Sequence, residues 1–475
     1  MTTWAADELR ELHLGDTRLD RRYIDIVDAC AAHLDASLPT TLGSPAAYKG
    51  MQRLFAHEDV PAARLLKPHQ AATRARARTA GWVLLIQDTT SYDFTRHPHM
   101  AGLGWLEHPG CRGVFVHATL AVSLEGVPLG VLALHSWVRT AAPHAHGTSG
   151  RARGTTPTAA KESPRWLDAL ATSQRLIAPR VTTVTLADRE ADFYDLFTAP
   201  RRANAHLLIR ARFDRAVTGE TAGAETQWAA VRATPEAARV TLQVPRRHQG
   251  PQTRPCREAT LVIRYTTLTV AAPAYKGGAP LILQHLLVEE VDPPAGEEPI
   301  CWRLLTTLPI SSPEVALLYV EWYTSRWLIE RFHYLLKSGC GVEDLQFRTR
   351  ERWECALVTY SIVAWRLLQL QYDARTQPDV SCTVALTPEE WQVAQQAAAP
   401  TQPRPAQPPT MRQAVRLIAR LGGFRGRKCD GEPGIKALWR GWQCLQQLLR
   451  GYRLARQTIV GEQGEPLQCA FVGTA

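Results

Sequence analysis

The chain has 475 residues, with 55 Lys and Arg against 45 Asp and Glu, for a formal net charge of +10. That length exceeds what one hydrophobic core normally serves, so two or three domains are expected, and the sign of the charge suits a polyanionic partner without requiring one. No apolar signal segment opens the chain, no run of about 18 apolar residues offers a membrane span, and no G-x4-G-K-[ST] loop points to ATP-driven chemistry. The ten cysteines include no C-x-x-C pair, which leaves neither a zinc spacing nor a disulfide framework, so a soluble cytoplasmic protein with reduced thiols is expected. Only seven of the cations are lysine. Codon bias from a GC-rich genome is the expected cause, although arginine also grips phosphate bidentately.

Residues 1–70 read as mainly helical. Asp16, Arg18, Arg21 and Arg22 lie on a polar first helix, while Tyr48, Met51, Leu54 and Phe55 are spaced as a buried face. Two stretches carry cations and no acid: Arg64, Lys67, Arg74, Arg76 and Arg78 in the first, and six cations between Arg412 and Lys428 in the second. Each is either a phosphate-binding surface or an ordinary solvated one. From about residue 71, strands are expected near 82–87, 114–122 and 127–135, then a helix near 162–178 and a strand over 181–187. Seven of the fifteen histidines fall between His97 and His146, but no metal-ligand spacing recurs among them.

Both apolar strands end on an acid. Asp88 closes WVLLIQ and is followed by TTS, and Asp188 closes VTTVTLA and opens a helix-like segment, where it is either a functional carboxylate or an N-cap. Arg210 and Arg212 alternate in LLIRARF and so point to one strand face. Between about 212 and 310 the pattern turns to β, with ARVTLQVP, ATLVIRYTTLTV, LILQHLLVEEV and WRLLTTL separated by Pro- and Gly-containing turns. Long helices follow at 312–337 and 351–373, then a Pro-rich linker at 397–409 and a helical remainder.

The stretch YTSRWLIERFHYLLKSGCG carries the sharpest signal. On a continuous α-helix, Tyr323, Arg326, Glu330 and Lys337 share an arc of roughly 60° along about 21 Å. Leu328, Ile329, Phe332, Leu335 and Leu336 take the opposite, apolar face. An acid held between fixed cations suits metal and phosphate chemistry, although a solvated face of neighbouring ion pairs has the same composition. Two strand-end acids plus one helix acid can hold two divalent cations, which activate an attacking oxygen and stabilise a leaving one.

QDTTS around Asp88, LADREADFYDLF around Asp188, and Tyr-x2-Arg-x3-Glu-x6-Lys from Tyr323 to Lys337 together resemble the insertion sequence 4 family of bacterial DDE transposases, nearest to the transposon-five type. The opening WAADELRELHLGDTRLDRR, KESPRW at 161–166 and LGGFRGRKCDGEPGIKALWRGWQCL extend the likeness along almost the whole chain. The resemblance implies an α/β (α+β) protein with a ribonuclease H-like catalytic core over 71–373, interrupted by the β-rich insertion. A helical DNA-end-binding domain would precede it at 1–70, and a helical dimerisation domain would follow at 374–475. It implies Asp88, Asp188 and Glu330 as a catalytic triad binding two Mg²⁺ ions, with Mn²⁺ substituting, since oxygen ligands accept both.

By the same resemblance Tyr323, Arg326, Lys337 and Arg210 grip the DNA backbone, and Trp302 and Trp327 stack on a flipped base, though buried packing is the ordinary fate of a tryptophan. The implied activity is cut-and-paste transposition of double-stranded DNA through a hairpin, by a homodimer acting at the bacterial nucleoid. A catalytically silent DNA-binding regulator and a nuclease without strand transfer are the alternatives.

Overall fold

The computed structural model describes residues 3–34, 36–141, 163–218, 226–244, 247–249, 252–254, 256–401, 405–427 and 430–463. Two compact units are present, one comprising Met1–His69, His99–Ala101 and Arg331–Ala475, the other Gln70–Pro98 and Gly102–Glu330. The mixed α/β class expected from the sequence is found. Lys161, Glu162, His144, His146, Lys428 and part of the Pro-rich stretch lie outside the described residues.

The second unit is organised around one sheet, ten-stranded among the described residues. Its strands in chain order are β1 (Trp82–Asp93), β2 (Gly104–Trp105), β3 (Arg112–Val122), β4 (Pro128–Trp137), β5 (Thr182–Ala187), β6 (Ala205–Arg210), β7 (Ala238–Val244), β10 (Arg257–Val270), β11 (Leu281–Val291) and β12 (Cys301–Thr306); β8 (Arg247–Gln249) and β9 (Gln252–Arg254) form a separate ribbon. β1 runs parallel to β5, and β5 parallel to β6, so these central strands are covered on both faces and read as unbroken apolar runs. Val83, Leu85, Ala121, Leu129 and Ile177 form one core cluster, while Trp166, Ala187, Leu207, Ile209, Trp228 and Leu287 belong to another.

The β-rich stretch after residue 212 is not a separate sheet. β12 pairs antiparallel with β6, and β11, β10 and β7 follow outward, so the insertion extends the central sheet and returns the chain beside β6. Helix Pro313–Thr324 then starts on Ser312, whose hydroxyl accepts the Val315 N–H, with Pro313 at the first helical position.

Helix Ala62–Ala80 enters this unit at residue 70, and two of its side chains are spent on packing. Gln70 Nε2 donates to the Leu132 carbonyl at 2.7 Å and Arg76 Nε to that of Leu129 at 2.6 Å. Arg76 therefore leaves the first basic cluster: it satisfies a strand carbonyl in place of facing solvent.

In the first unit the helix Arg350–Thr376 is buried along most of its length, because Trp353, Tyr360, Ile362, Trp365 and Leu368 point to several sides at once. Tyr23 and Val27 of helix Thr17–Ala32, and Met51, Leu54 and Phe55, are buried in the same unit, while Tyr48 is half-buried. Trp442 Nε1, on the C-terminal helix Ile435–Gln463, donates to the Ala31 carbonyl at 2.8 Å. All described cysteines are free thiols. No described helix is long and apolar enough to cross a membrane.

Candidate active site and nucleic-acid cleft

Asp88 and Asp188 are delivered by neighbouring parallel strands. The β1–β5 pairing ends with Ile86 opposite Leu186, and two residues further along each strand come the two aspartates. Asp88 is not at a strand tip as the sequence suggests: β1 continues to Asp93 because β3 still runs alongside it, with Ala118 opposite Asp88. What ends near Asp88 is the parallel partner, which opens one side of β1 to a ligand. Asp188 does lie just past its strand, where it caps the short 3₁₀ turn Arg189–Ala191 by accepting the Glu190 N–H at 2.9 Å. Asp88 Oδ1 likewise accepts one backbone donor, the Thr89 N–H at 2.8 Å.

Glu330 stands on the helix Trp327–Tyr334, with its carboxylate drawn to Arg326 Nη2 at 2.7 Å. The helix predicted as continuous is broken here. Ser325 and Arg326 form a tight turn with i→i+3 bonds, Ser325 N–H to the Trp322 carbonyl and Arg326 N–H to that of Tyr323. A π-helical turn, Leu335–Gly339, follows the helix, so the single 3.6-residue arc assumed for the four polar residues does not hold. Leu328, Ile329, Phe332, Leu335 and Leu336 are nevertheless all buried, as the apolar spacing predicts.

Asp88 is close enough to feel the other two carboxylates. Burial first, and then the Asp188 charge, raise the Asp88 carboxyl from its usual 3.8 to about 7; Glu330 adds to the rise, and the Thr89 N–H and Arg326 oppose it. Such crowding is what a bound cation relieves, and an all-oxygen donor set suits a hard divalent ion. Among the described residues no three His, Cys, Asp or Glu side chains already stand as a closed metal cage. Glu330 is instead engaged by a guanidinium, and its side chain is 39% exposed, open to a ligand. The donor chemistry of the three carboxylates suits a divalent metal, and Glu330 could join such a site only by leaving Arg326.

The motif reads Tyr323 as a DNA-backbone contact. The residue is buried, its hydroxyl donates to the Ala187 carbonyl at 3.4 Å, and its ring meets the Trp302 ring edge-on at 5.8 Å. In this arrangement it braces Trp302 against the end of β5, and the same burial pushes its phenol well above the ordinary range. Lys337, on the π-helical turn in the first unit, pairs with Glu343 at 3.9 Å.

The remaining predicted residues converge on an open cleft of about 910 Å³ in the second unit. Arg210, Arg212, Trp302 and Trp327 line it. Arg210 Nη2 donates to the Cys301 carbonyl at 3.2 Å, and burial together with the nearby Arg189 cation makes its charge harder to hold than usual. Arg212 lies beyond the end of β6, not on it; its N–H and that of Phe213 donate to Asp192 Oδ2 at 2.6 and 3.0 Å. Asp192, buried and ion-paired with Arg215, is thus the anchor that turns the chain into the cleft. Trp327 is 47% exposed while Trp302 is half-buried. Arg326 lies over the Trp327 ring with Cζ 5.3 Å from its centroid.

Arg189, Glu190, Glu298 and Arg303 also line the cleft and were not singled out from the sequence. Arg189 and Arg303 each adjoin a named residue, Asp188 and Trp302, and adjacency was the one available signal. Four arginines against two glutamates leave the wall cationic, with two indole faces among them. Phosphates and unstacked bases are the ligands such a surface suits.

Comparison with known proteins gives three family matches in order along the chain. "Transposase DNA-binding" covers residues 1–60, "Transposase DDE domain" covers 147–366, and "Transposase Tn5 dimerisation domain" covers 362–461. Asp188 and Glu330 fall inside the DDE match and Asp88 precedes it. The DDE match carries a ribonuclease H-like fold for the core, and the flanking matches provide for DNA binding and dimer formation. The chain belongs to the DDE transposases of the transposon-five type, metal-dependent enzymes that cut and join DNA.

Proposed function

We propose that this transposase moves its element by cut and paste, with Asp88, Asp188 and Glu330 as the metal ligands and a hairpin as the intermediate on each transposon end. The observation that carries this reading is the cleft in which four arginines and two tryptophans adjoin the carboxylate-bearing segments: Arg189 directly follows Asp188, and Trp327 lies one helical turn before Glu330. Two bound divalent cations, Mg²⁺ or Mn²⁺, supply activation of the attacking oxygen and charge relief at the leaving one.

The chain's own residues do the rest. Arg189, Arg210 and Arg212 hold backbone phosphates along the cleft, and Arg326 is freed for the same task when Glu330 turns to a cation. Water attacks the phosphodiester at the element's end first, breaking the bond to the 3′-oxygen; the freed 3′-hydroxyl then attacks the opposite strand's phosphodiester, closing the hairpin and expelling the flanking DNA. That geometry forces a base out of the duplex, and the indoles of Trp302 and Trp327 receive it by stacking. Tyr323 keeps Trp302 in place from below. Hairpin opening and attack on target DNA complete the sequence within a dimer that pairs two ends. Residues 1–70, 71–373 and 374–475 serve as the end-binding, catalytic and dimerisation parts.

End-labelled duplexes carrying the inverted repeats that flank the gene, resolved on denaturing gels, test the hairpin. Trp302→Ala is expected to keep first-strand nicking and lower hairpin yield by about 5- to 150-fold, corresponding to roughly 1–3 kcal/mol of base stacking. Equal loss of nick and hairpin would leave Trp302 as packing alone, and an unaltered protein that nicks without forming hairpins would overturn the hairpin route.

A further inference from the structure

We propose that Arg165 is a positioning residue that fixes the spacing of Asp88 and Asp188, and so sets how tightly the two take a divalent cation. This rests on the assignment of both aspartates as metal ligands. Each aspartate accepts one backbone donor close by in sequence, the Thr89 N–H for Asp88 and the Glu190 N–H for Asp188. The side chains of those two donor residues meet on a single guanidinium. Arg165 Nε donates to Thr89 Oγ1 at 2.9 Å, and Arg165 Nη2 donates to Glu190 Oε2 at 2.6 Å.

Arg165 comes from a third element, the helix Pro164–Leu176, where it sits at the second position. Its side chain is 11% exposed, with Cζ 5.2 Å from the Trp137 ring centroid and 5.9 Å from that of Trp166. Two indoles and two hydrogen bonds leave the guanidinium little freedom. Thr89 is oriented in turn. A guanidinium offers no acceptor, so Thr89 Oγ1 must accept from Arg165, and the same oxygen is hydrogen-bonded to His117 Nδ1 at 2.9 Å, in the direction the imidazole tautomer sets. His117 is itself buried against Trp166, so the chain of contacts ends in rigid core.

Both aspartates lie two residues past the last β1–β5 pair, Asp88 within β1 and Asp188 just beyond β5. Beyond that point β3 still holds Asp88 on its other side, but no ladder pair joins Asp88 to Asp188, and a bridge between their neighbours sets their separation. Such outer-sphere partners typically change metal affinity by about 10- to 100-fold.

Mn²⁺ titration of the full chain, with free Mn²⁺ read by electron paramagnetic resonance, tests this alongside circular dichroism as a check on folding. Arg165→Gln is expected to weaken Mn²⁺ binding by roughly 10- to 100-fold. Thr89→Val, which keeps shape and loses the acceptor, should shift affinity in the same direction and guards against an Arg165 variant that does not fold. Excess Mn²⁺ should restore DNA cleavage in both. Unchanged affinity in both variants, with binding lost in Asp188→Asn, overturns the positioning role alone. Unchanged affinity in Asp188→Asn overturns the ligand assignment beneath it.

Discussion

A chain carrying Glu330→Gln is expected to bind transposon ends normally and to cut them at least about 10³-fold more slowly, equivalent to roughly 4 kcal/mol of lost transition-state stabilisation. The substitution is nearly isosteric. The new amide still offers an oxygen to Arg326 Nη2, so the guanidinium, 8% exposed, keeps a partner and the helix keeps its shape. The Glu330 side chain is itself 39% exposed and the amide keeps the hydrogen bond to the buried guanidinium, so the fold is expected to persist. The negative charge that the proposal assigns to metal binding is lost completely. If Glu330 were merely one member of a solvated ion pair, cleavage would fall by less than about tenfold, the equivalent of roughly 1.4 kcal/mol. Gel-shift binding beside single-turnover cleavage separates the two cases.

Asp88→Asn should stabilise the metal-free protein at alkaline pH. The Asp88 carboxyl titrates near 7 in the folded state against an ordinary 3.8, chiefly because it is buried and secondly because Asp188 is near. A raised folded pKa means stability that is complete below about 3.8 and lost as pH rises through about 7. Above that the fold carries a charge it holds poorly, at a cost of up to about 4 kcal/mol for the interval of roughly three pH units. The amide of the variant carries no charge to hold. In EDTA at about pH 8 the variant should therefore melt higher than the unaltered chain, and the difference should close toward about pH 4. Mg²⁺ should reverse the order, because ligand binding stabilises only the chain that retains the site. Calorimetric Tm values across pH, with EDTA and with Mg²⁺, check this; a lower Tm for Asp88→Asn in EDTA at the alkaline end would show that the carboxylates do not crowd one another.

Much of the sheet was legible, because apolar runs bounded by turns mark β1, β3, β4 and β5, and because an acid ending such a run is conspicuous. The continuation of β1 past Asp88 was not, since it depends on pairing with β3, which comes later in the chain and places Ala118 opposite Asp88. Nor was the union of the insertion with the catalytic sheet, which rests on the antiparallel register of β12 against β6. The helix break at 325–326 carries no Gly or Pro to announce it. It re-aims Tyr323 inward, onto Trp302 and the Ala187 carbonyl. Arg76 reads as a phosphate ligand until a strand carbonyl is found beside it. Arg165 and Asp192 act through partners 20 or more residues away, a relation that no local pattern encodes.

The most direct measurement of the central claim is excision and joining of DNA flanked by the element's own inverted repeats, with Mg²⁺ or EDTA, beside Asp188→Asn. Excision and strand transfer that require Mg²⁺ and vanish in the variant are expected. Specific end binding with no cleavage, or cleavage undiminished in Asp188→Asn, would contradict the account.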